Sequence, residues 1–307
     1  MKNLLLAASR NHLVRDLATR LPLVRRTVDR FVPGEHVDDV VRTIRELGAS
    51  GRVATVDHLG EDTTSQADAL AATEANIALV HRLADEGLTD VAEISLKASA
   101  LGLGLPGGAD LAADNAGRIV AAAAEAGTTV TLDAEDHTTL DGMHALVDAL
   151  REEFPDTGLV LQAMLFRTEA DAARYGGPGS RVRLCKGAYA EPDTVAHTRP
   201  RAIAEAFQRT LAVLLAGGAY PMIATHDPAL VTASLGQLLV AGRAPGTYEF
   251  QMLYGVRPEE QVRLAREGHR VRVYVPYGAD WYGYYMRRLA EKPANLALLG
   301  RALVSRK

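Results

Sequence analysis

Short runs rich in β-branched and apolar residues, each bounded by turn residues, predict eight strands at 53–57, 91–97, 129–133, 158–162, 182–186, 222–225, 248–253 and 271–275. Between them apolar residues recur at helical spacing over 69–85, 112–126, 141–153, 202–216, 228–239 and 258–267. Strand alternating with helix requires parallel crossovers, and eight such units fit the roughly 250 residues of a (βα)8 TIM-like barrel. An open doubly wound sheet is the alternative. The strand ends favour the barrel, because they carry Asp57, Lys97, Asp133, Gln162, Arg183 with Lys186, Thr225 with His226, Gln251 and Tyr274. A barrel converges such groups on one mouth, whereas an open sheet spreads them along an edge. Ahead of the first strand, Leu13, Leu17, Leu21, Val40, Ile44 and Leu47 stand at helix-like spacing. They predict an N-terminal helical extension over 1–48, with the barrel domain occupying 49–307.

Composition narrows the class without altering this picture. A chain of 307 residues that is 48% hydrophobic can bury a large core, and its formal charge of −4 gives no argument for nucleic-acid binding. The single cysteine, Cys185, excludes an intramolecular disulfide and fits a reducing compartment. The apolar run at 4–8 is too short for a signal peptide, and no run approaches a membrane-spanning length. A cytoplasmic protein is expected, with a peripheral membrane contact left open.

Several motifs carry candidate chemistry. Gly102-Leu103-Gly104-Leu105-Pro106-Gly107 has dinucleotide-fingerprint spacing, but Pro106 falls inside the turn and Asp133 comes too late for the acidic partner. A Rossmann site is therefore set aside. In Asp133-Ala134-Glu135-Asp136-His137 a helix N-cap and acidic first turn account for Glu135 and Asp136, leaving Asp133 as the strand-end group. His226 and Asp227 lack a third ligand at recognisable spacing, so no metal is expected. Arg183-Leu184-Cys185-Lys186-Gly187 places two cations and a glycine where an anion such as a phosphate would be held, or forms an ordinary turn. Lys97 lies in a nearly buried strand and needs a partner or a function, either as a Schiff-base lysine or as an anion ligand. Near the C-terminus, Tyr284-Tyr285-Met286-Arg287-Arg288 puts two guanidiniums one turn after a tyrosine. This spacing suits a small carboxylate or a solvated helix end.

Taken together, these segments resemble the FAD-dependent proline dehydrogenase family in its short monofunctional bacterial form. The resemblance runs from about Val53 to the end of the chain. It is carried in order by Asp57-His58-Leu59-Gly60-Glu61, Ser95-Leu96-Lys97-Ala98-Ser99-Ala100, Leu132-Asp133-Ala134-Glu135, Leu161-Gln162 and Arg183-Leu184-Cys185-Lys186-Gly187-Ala188-Tyr189. Ala224-Thr225-His226, Glu249-Phe250-Gln251-Met252-Leu253-Tyr254-Gly255 and the Tyr-x-x-Arg-Arg motif complete it. Ala190, and Met164 with Phe166, depart from the family pattern by replacing bulky or tyrosine residues.

The resemblance implies a distorted barrel whose last helix lies over the mouth, and oxidation of L-proline to 1-pyrroline-5-carboxylate by hydride transfer to FAD. A quinone would be the electron acceptor. Arg287, Arg288 and Lys97 would hold the substrate carboxylate, while Tyr274, Tyr284 and Leu253 would wall the ring. Retention of Tyr274 argues for proline over hydroxyproline. Asp133, Ala134, Gln162 and Arg183 would surround the isoalloxazine, with Asp133 and Arg183 nearest the chemistry. Lys186, Gly187, Ala188, Thr225 and His226 would reach the ribityl and pyrophosphate. Glu61 would pair with Arg287 as a gate. A lysine-dependent barrel aldolase using Lys97 and a non-catalytic proline or flavin sensor are the rival readings, and a homo-oligomer stays open.

Overall fold

The computed structural model describes residues 28–60 and 63–291. Eight parallel strands close on themselves in sequence order: β1 (Val53–His58), β2 (Ala92–Lys97), β3 (Val130–Asp133), β4 (Gly158–Gln162), β5 (Arg181–Cys185), β6 (Tyr220–Ala224), β7 (Glu249–Leu253) and β8 (Val271–Tyr277). Closure is made by β8 on β1, with Thr55 beside Tyr274 and Asp57 beside Pro276. The helices are α1 (Val37–Gly48), α2 (Gln66–Asp85), α3 (Gly108–Glu125), α4 (Leu140–Glu153), α5 (Thr168–Tyr175), α6 (Pro200–Gly217), α7 (Pro228–Val240), α8 (Pro258–Arg266) and α9 (Trp281–Glu291). None of the helices among the described residues is long and apolar enough to cross a membrane.

Local chemistry explains where the elements begin. Pro200, Pro228 and Pro258 each occupy the first turn of their helix, where a missing N–H costs nothing. Ser65 caps α2 by accepting the Asp68 N–H at 3.1 Å. The eight strands of the sequence reading are all present, with ends shifted by a residue or two. β6 starts earlier, at Tyr220, because Pro221 sits near its beginning, where a lost donor is tolerated. The eight-residue α5 has no counterpart in the sequence reading, since two polar turns give too short an apolar period to stand out.

The strands alternate, and the alternation divides the interior in two. One parity supplies Val56, Ile94, Leu132, Leu161, Leu184, Phe250 and Val273 to the apolar layer beneath the helices. Leu79 and Leu83 of α2, Ile119 of α3 and Leu211 of α6 complete that layer, and Ile44 and Leu47 of α1 join it. The other parity is polar, including Thr55, Glu93, Arg183, Glu249 and Arg272, all buried. A barrel of this kind is usually filled by branched apolar side chains. Here it is filled by ion pairs: Arg272 Nε meets Glu249 Oε1 at 2.7 Å and Glu93 Oε1 at 3.6 Å, while Arg181 also contacts Glu93.

Burial opposes the charge on Glu93, but Arg272, Arg181 and Arg183 outweigh it and hold the carboxyl at about 2 against an ordinary 4.5. The folded pKa is depressed, so the stabilisation is complete above pH 4.5 and is lost as pH falls toward 2. Unfolding free energy measured by urea titration should accordingly decline by on the order of 3 kcal/mol from this group across that window. A flat profile between pH 5 and pH 2 would contradict it.

Candidate active site

The C-terminal ends of the strands form the mouth, and the polar side chains there bond to one another. Asp133, at the end of β3, is the hub. Its Oδ1 accepts from Arg183 Nη1 at 2.6 Å and its Oδ2 from the Tyr274 hydroxyl at 2.7 Å. These two oxygens tie β3 to β5 and β8 across the barrel. The Arg183 charge lies 5.4 Å from the centre of the Tyr274 ring, adding a cation–π contact. Burial, then Asp133 and Asp57, push the Tyr274 phenol well above its ordinary range, so it stays a donor. Burial also disfavours the Arg183 charge, but Asp133 and Glu93 more than compensate and keep the guanidinium protonated.

Lys97, at the end of β2, donates from Nζ to both carboxylate oxygens of Asp57, each at 2.7 Å. Both residues are buried. The partner that the sequence demanded for Lys97 is thus Asp57, on the neighbouring strand, and the lysine charge is locally balanced.

Gln162, at the end of β4, donates from Nε2 to the Glu135 carbonyl at 2.6 Å. Glu135 itself is buried and reaches back to the loop after β2, where its carboxylate accepts the Ser99 N–H at 3.0 Å and the Ser99 hydroxyl. It is therefore no first-turn residue of α4, which starts only at Leu140. Asp136 does serve a local turn, accepting the Thr138 N–H at 2.9 Å.

Lys186 and Gly187 follow β5. The lysine Nζ pairs with Asp227 Oδ2 at 2.7 Å, joining the β5 and β6 loops. Gly187 has φ +100°, and a Cβ there would stand 2.5 Å from Met164 Sδ. Ala188 lies partly exposed on the same loop, whereas Ala134, after β3, packs on the barrel core. The Thr225 hydroxyl accepts the Asp227 N–H at 3.2 Å, and His226 Nε2 accepts the Leu253 N–H at 2.8 Å. An accepting Nε2 leaves the His226 proton on Nδ1.

The last helix completes the mouth. Trp281, Tyr282, Tyr284, Tyr285 and Met286 of α9 cluster with Leu59, Val256 and Tyr274, residues in or just beyond β1, β7 and β8. Arg288 stacks its charge 5.2 Å from the Tyr284 ring centre, and Arg287 and Arg288 are both half-buried. Glu61, the expected gate partner of Arg287, lies outside the described residues.

Sequence reasoning missed the layer below this site. Thr55, Glu93, Ser95, Arg181, Glu249 and Arg272 stand two or four residues before the strand ends it singled out. The signal was their period of two. Parallel strands covered on both faces read as continuous apolar runs, so a polar residue at every second position marks a charged lumen.

A closed parallel barrel with its ionisable groups gathered at the C-terminal ends of the strands belongs to the enzyme-bearing (βα)8 class. The chain belongs to the proline dehydrogenase family, whose model, described as "Proline dehydrogenase", matches residues 40–301. It is 37% identical over 278 residues to proline dehydrogenase 1 of Bacillus subtilis, covering 90% of each chain. To the proline dehydrogenase of Deinococcus radiodurans it is 37% identical over 281 residues, covering 90% of this chain and 89% of the other. Among solved structures, proline utilization A from Bdellovibrio bacteriovorus superposes with a TM-score of 0.82 at 23% identity, over 92% of this chain. The match spans only 34% of that longer protein. It shows a shared fold.

Proposed function

We propose that the protein oxidises L-proline to 1-pyrroline-5-carboxylate, with FAD as its bound acceptor and a quinone as the final one. The observation that carries this reading is the Arg183–Asp133–Tyr274 array at the barrel mouth, roofed by a helix bearing Arg287 and Arg288, in a chain of this family.

The residues at the mouth fit a flavin nucleotide. Gly187 keeps a left-handed turn open where any side chain would strike Met164. Lys186 offers a partly exposed ammonium beside that turn, suited to a pyrophosphate. The Arg183 Nε–H is buried without a hydrogen-bond partner among the described residues, a donor left for a ring acceptor. In this reading Ala134 and Gln162 flank the ring, while Ala188, Thr225 and His226 line the way to the pyrophosphate. Bound FAD supplies the acceptor for the hydride that leaves the ring carbon next to the proline nitrogen.

The chain's own residues bind and orient. Arg287 and Arg288 present planar donor forks to the proline carboxylate, and Lys97 adds a third donor shared with Asp57. Tyr274, Tyr284 and Leu253 give the ring an apolar wall. The same cations lower the proton affinity of the bound amine, so its proton passes to solvent before hydride departs. Arg183 stands as the fixed charge that stabilises negative charge developing at the acceptor. A quinone in the lipid phase would require peripheral contact at the cytoplasmic face of a membrane.

An aldolase reading is disfavoured by one contact. Lys97 Nζ directs two hydrogen bonds into a buried carboxylate, whereas a Schiff-base lysine needs a free lone pair. Proline-dependent reduction of a quinone by the purified protein, with the imine product trapped, tests the proposal. Purified protein that binds FAD and proline yet passes no electrons would instead support the sensor reading. Gly187→Ala should destabilise the loop by about 1–3 kcal/mol and weaken FAD retention, measured by thermal unfolding and gel filtration of the holoprotein.

A further inference from the structure

Below the mouth, Arg183 is gripped from two sides. Its Nη1 donates to Asp133 Oδ1 at 2.6 Å and Ser95 Oγ at 3.1 Å; its Nη2 approaches Glu93 Oε1 at 3.4 Å and Thr55 Oγ1 at 3.5 Å. Glu93 is itself fixed, since its Oε1 accepts the Thr55 hydroxyl at 2.7 Å and its Oε2 the Thr129 hydroxyl at 3.2 Å. Glu93, on β2, is 1% exposed and lies four residues deeper than Lys97 on the same inward face.

The buried and partly buried charges balance along this column. Asp57, Glu93, Asp133 and Glu249 face Lys97, Arg181, Arg183 and Arg272 in contacts that run from the floor to the mouth. Buried ion pairs add little net stability compared with well-packed apolar groups. What a two-sided grip does give is a guanidinium plane that cannot swing, together with an interior of fixed charge.

We infer that Glu93 is a positioning residue for the redox step, holding Arg183 in orientation from beneath and setting the charge felt at the mouth. This rests on the flavin reading above. Glu93 touches neither substrate nor cofactor and acts through Arg183. Glu93→Gln keeps the shape but removes one negative charge from among three guanidiniums, so the mouth becomes more positive. That would favour the reduced, anionic state of a bound flavin, and the lower anchor of Arg183 weakens from a carboxylate to a neutral amide oxygen.

The test is the flavin midpoint potential of the Glu93→Gln holoenzyme beside the unmodified one, with kcat and KM for proline. The potential should move to a more positive value and kcat should fall about tenfold to a hundredfold, the scale of a small misplacement. KM should change little, because the Arg287 and Arg288 clamp lies on another element. A variant that merely melts earlier, with potential and kcat unchanged, overturns the inference. If Glu93→Gln does not fold, Glu93→Asp decides: it keeps the charge but draws the carboxylate back from Arg183, so kcat should fall while the potential stays near its original value. Unchanged kcat in that variant overturns the inference as well. Unmodified protein without flavin would sink the flavin reading and this inference together, whereas a flavin whose potential ignores Glu93 sinks this inference alone.

Discussion

Replacing Arg287 or Arg288 by alanine is expected to raise the proline KM by about tenfold to a hundredfold, with FAD still bound. In the proposed clamp each guanidinium would give the carboxylate charge-assisted hydrogen bonds, worth about 1.5–3 kcal/mol, and about 1.4 kcal/mol corresponds to a factor of ten. Lysine in either position should recover only part of the loss, because a point charge lacks the planar fork. The effect should fall on binding, because Tyr284 and Tyr285 anchor α9 in the apolar cluster above β1, β7 and β8. Steady-state kinetics beside the flavin absorbance of the same samples check it. An unchanged KM would remove the clamp from the account.

The second large effect concerns the pair at the end of β2. Lys97→Met leaves the buried Asp57 carboxylate without its ammonium, and breaking a buried pair typically costs about 3–5 kcal/mol. In the proposed clamp it also leaves an anion beside the substrate carboxylate, so both stability and proline affinity should drop. Removing both charges, in Lys97→Met with Asp57→Asn, should restore most of the stability, since no buried charge is left alone. Affinity should recover only in part, because the donor to the substrate is still missing. Urea unfolding and proline KM measured across this double-mutant cycle separate the two contributions. Additive losses in the double variant would show that the pair does not act as a unit.

How far the site was legible in the sequence follows from what each strand end shows by itself. Asp133, Gln162, Arg183 and Tyr274 could be named because a (βα)8 barrel presents residues toward the C-terminal end of each strand to its mouth. Their mutual bonding could not, since Asp133 and Tyr274 lie 141 residues apart and meet only when β8 closes on β1. Lys97 announced itself as a buried cation in need of a partner, and Asp57 was already marked as a strand end. The register that seats them together belongs to the closed sheet. Glu135 misled for a local reason: an acidic residue after a strand commonly caps the next helix, but here α4 begins five residues later and the side chain turns back to Ser99. Glu93 and Arg272 were hidden by attention to strand ends alone, although their alternation with Ala92, Ile94, Val271 and Val273 was present in the chain.

The central claim is that this barrel holds a flavin and reduces it with proline. The visible spectrum of the purified protein, recorded anaerobically before and after addition of L-proline, tests it most directly. The account predicts a yellow protein whose flavin bands bleach on adding proline and return when a quinone is admitted. A colourless protein to which FAD cannot be restored, or a flavin whose spectrum is indifferent to proline, would contradict it.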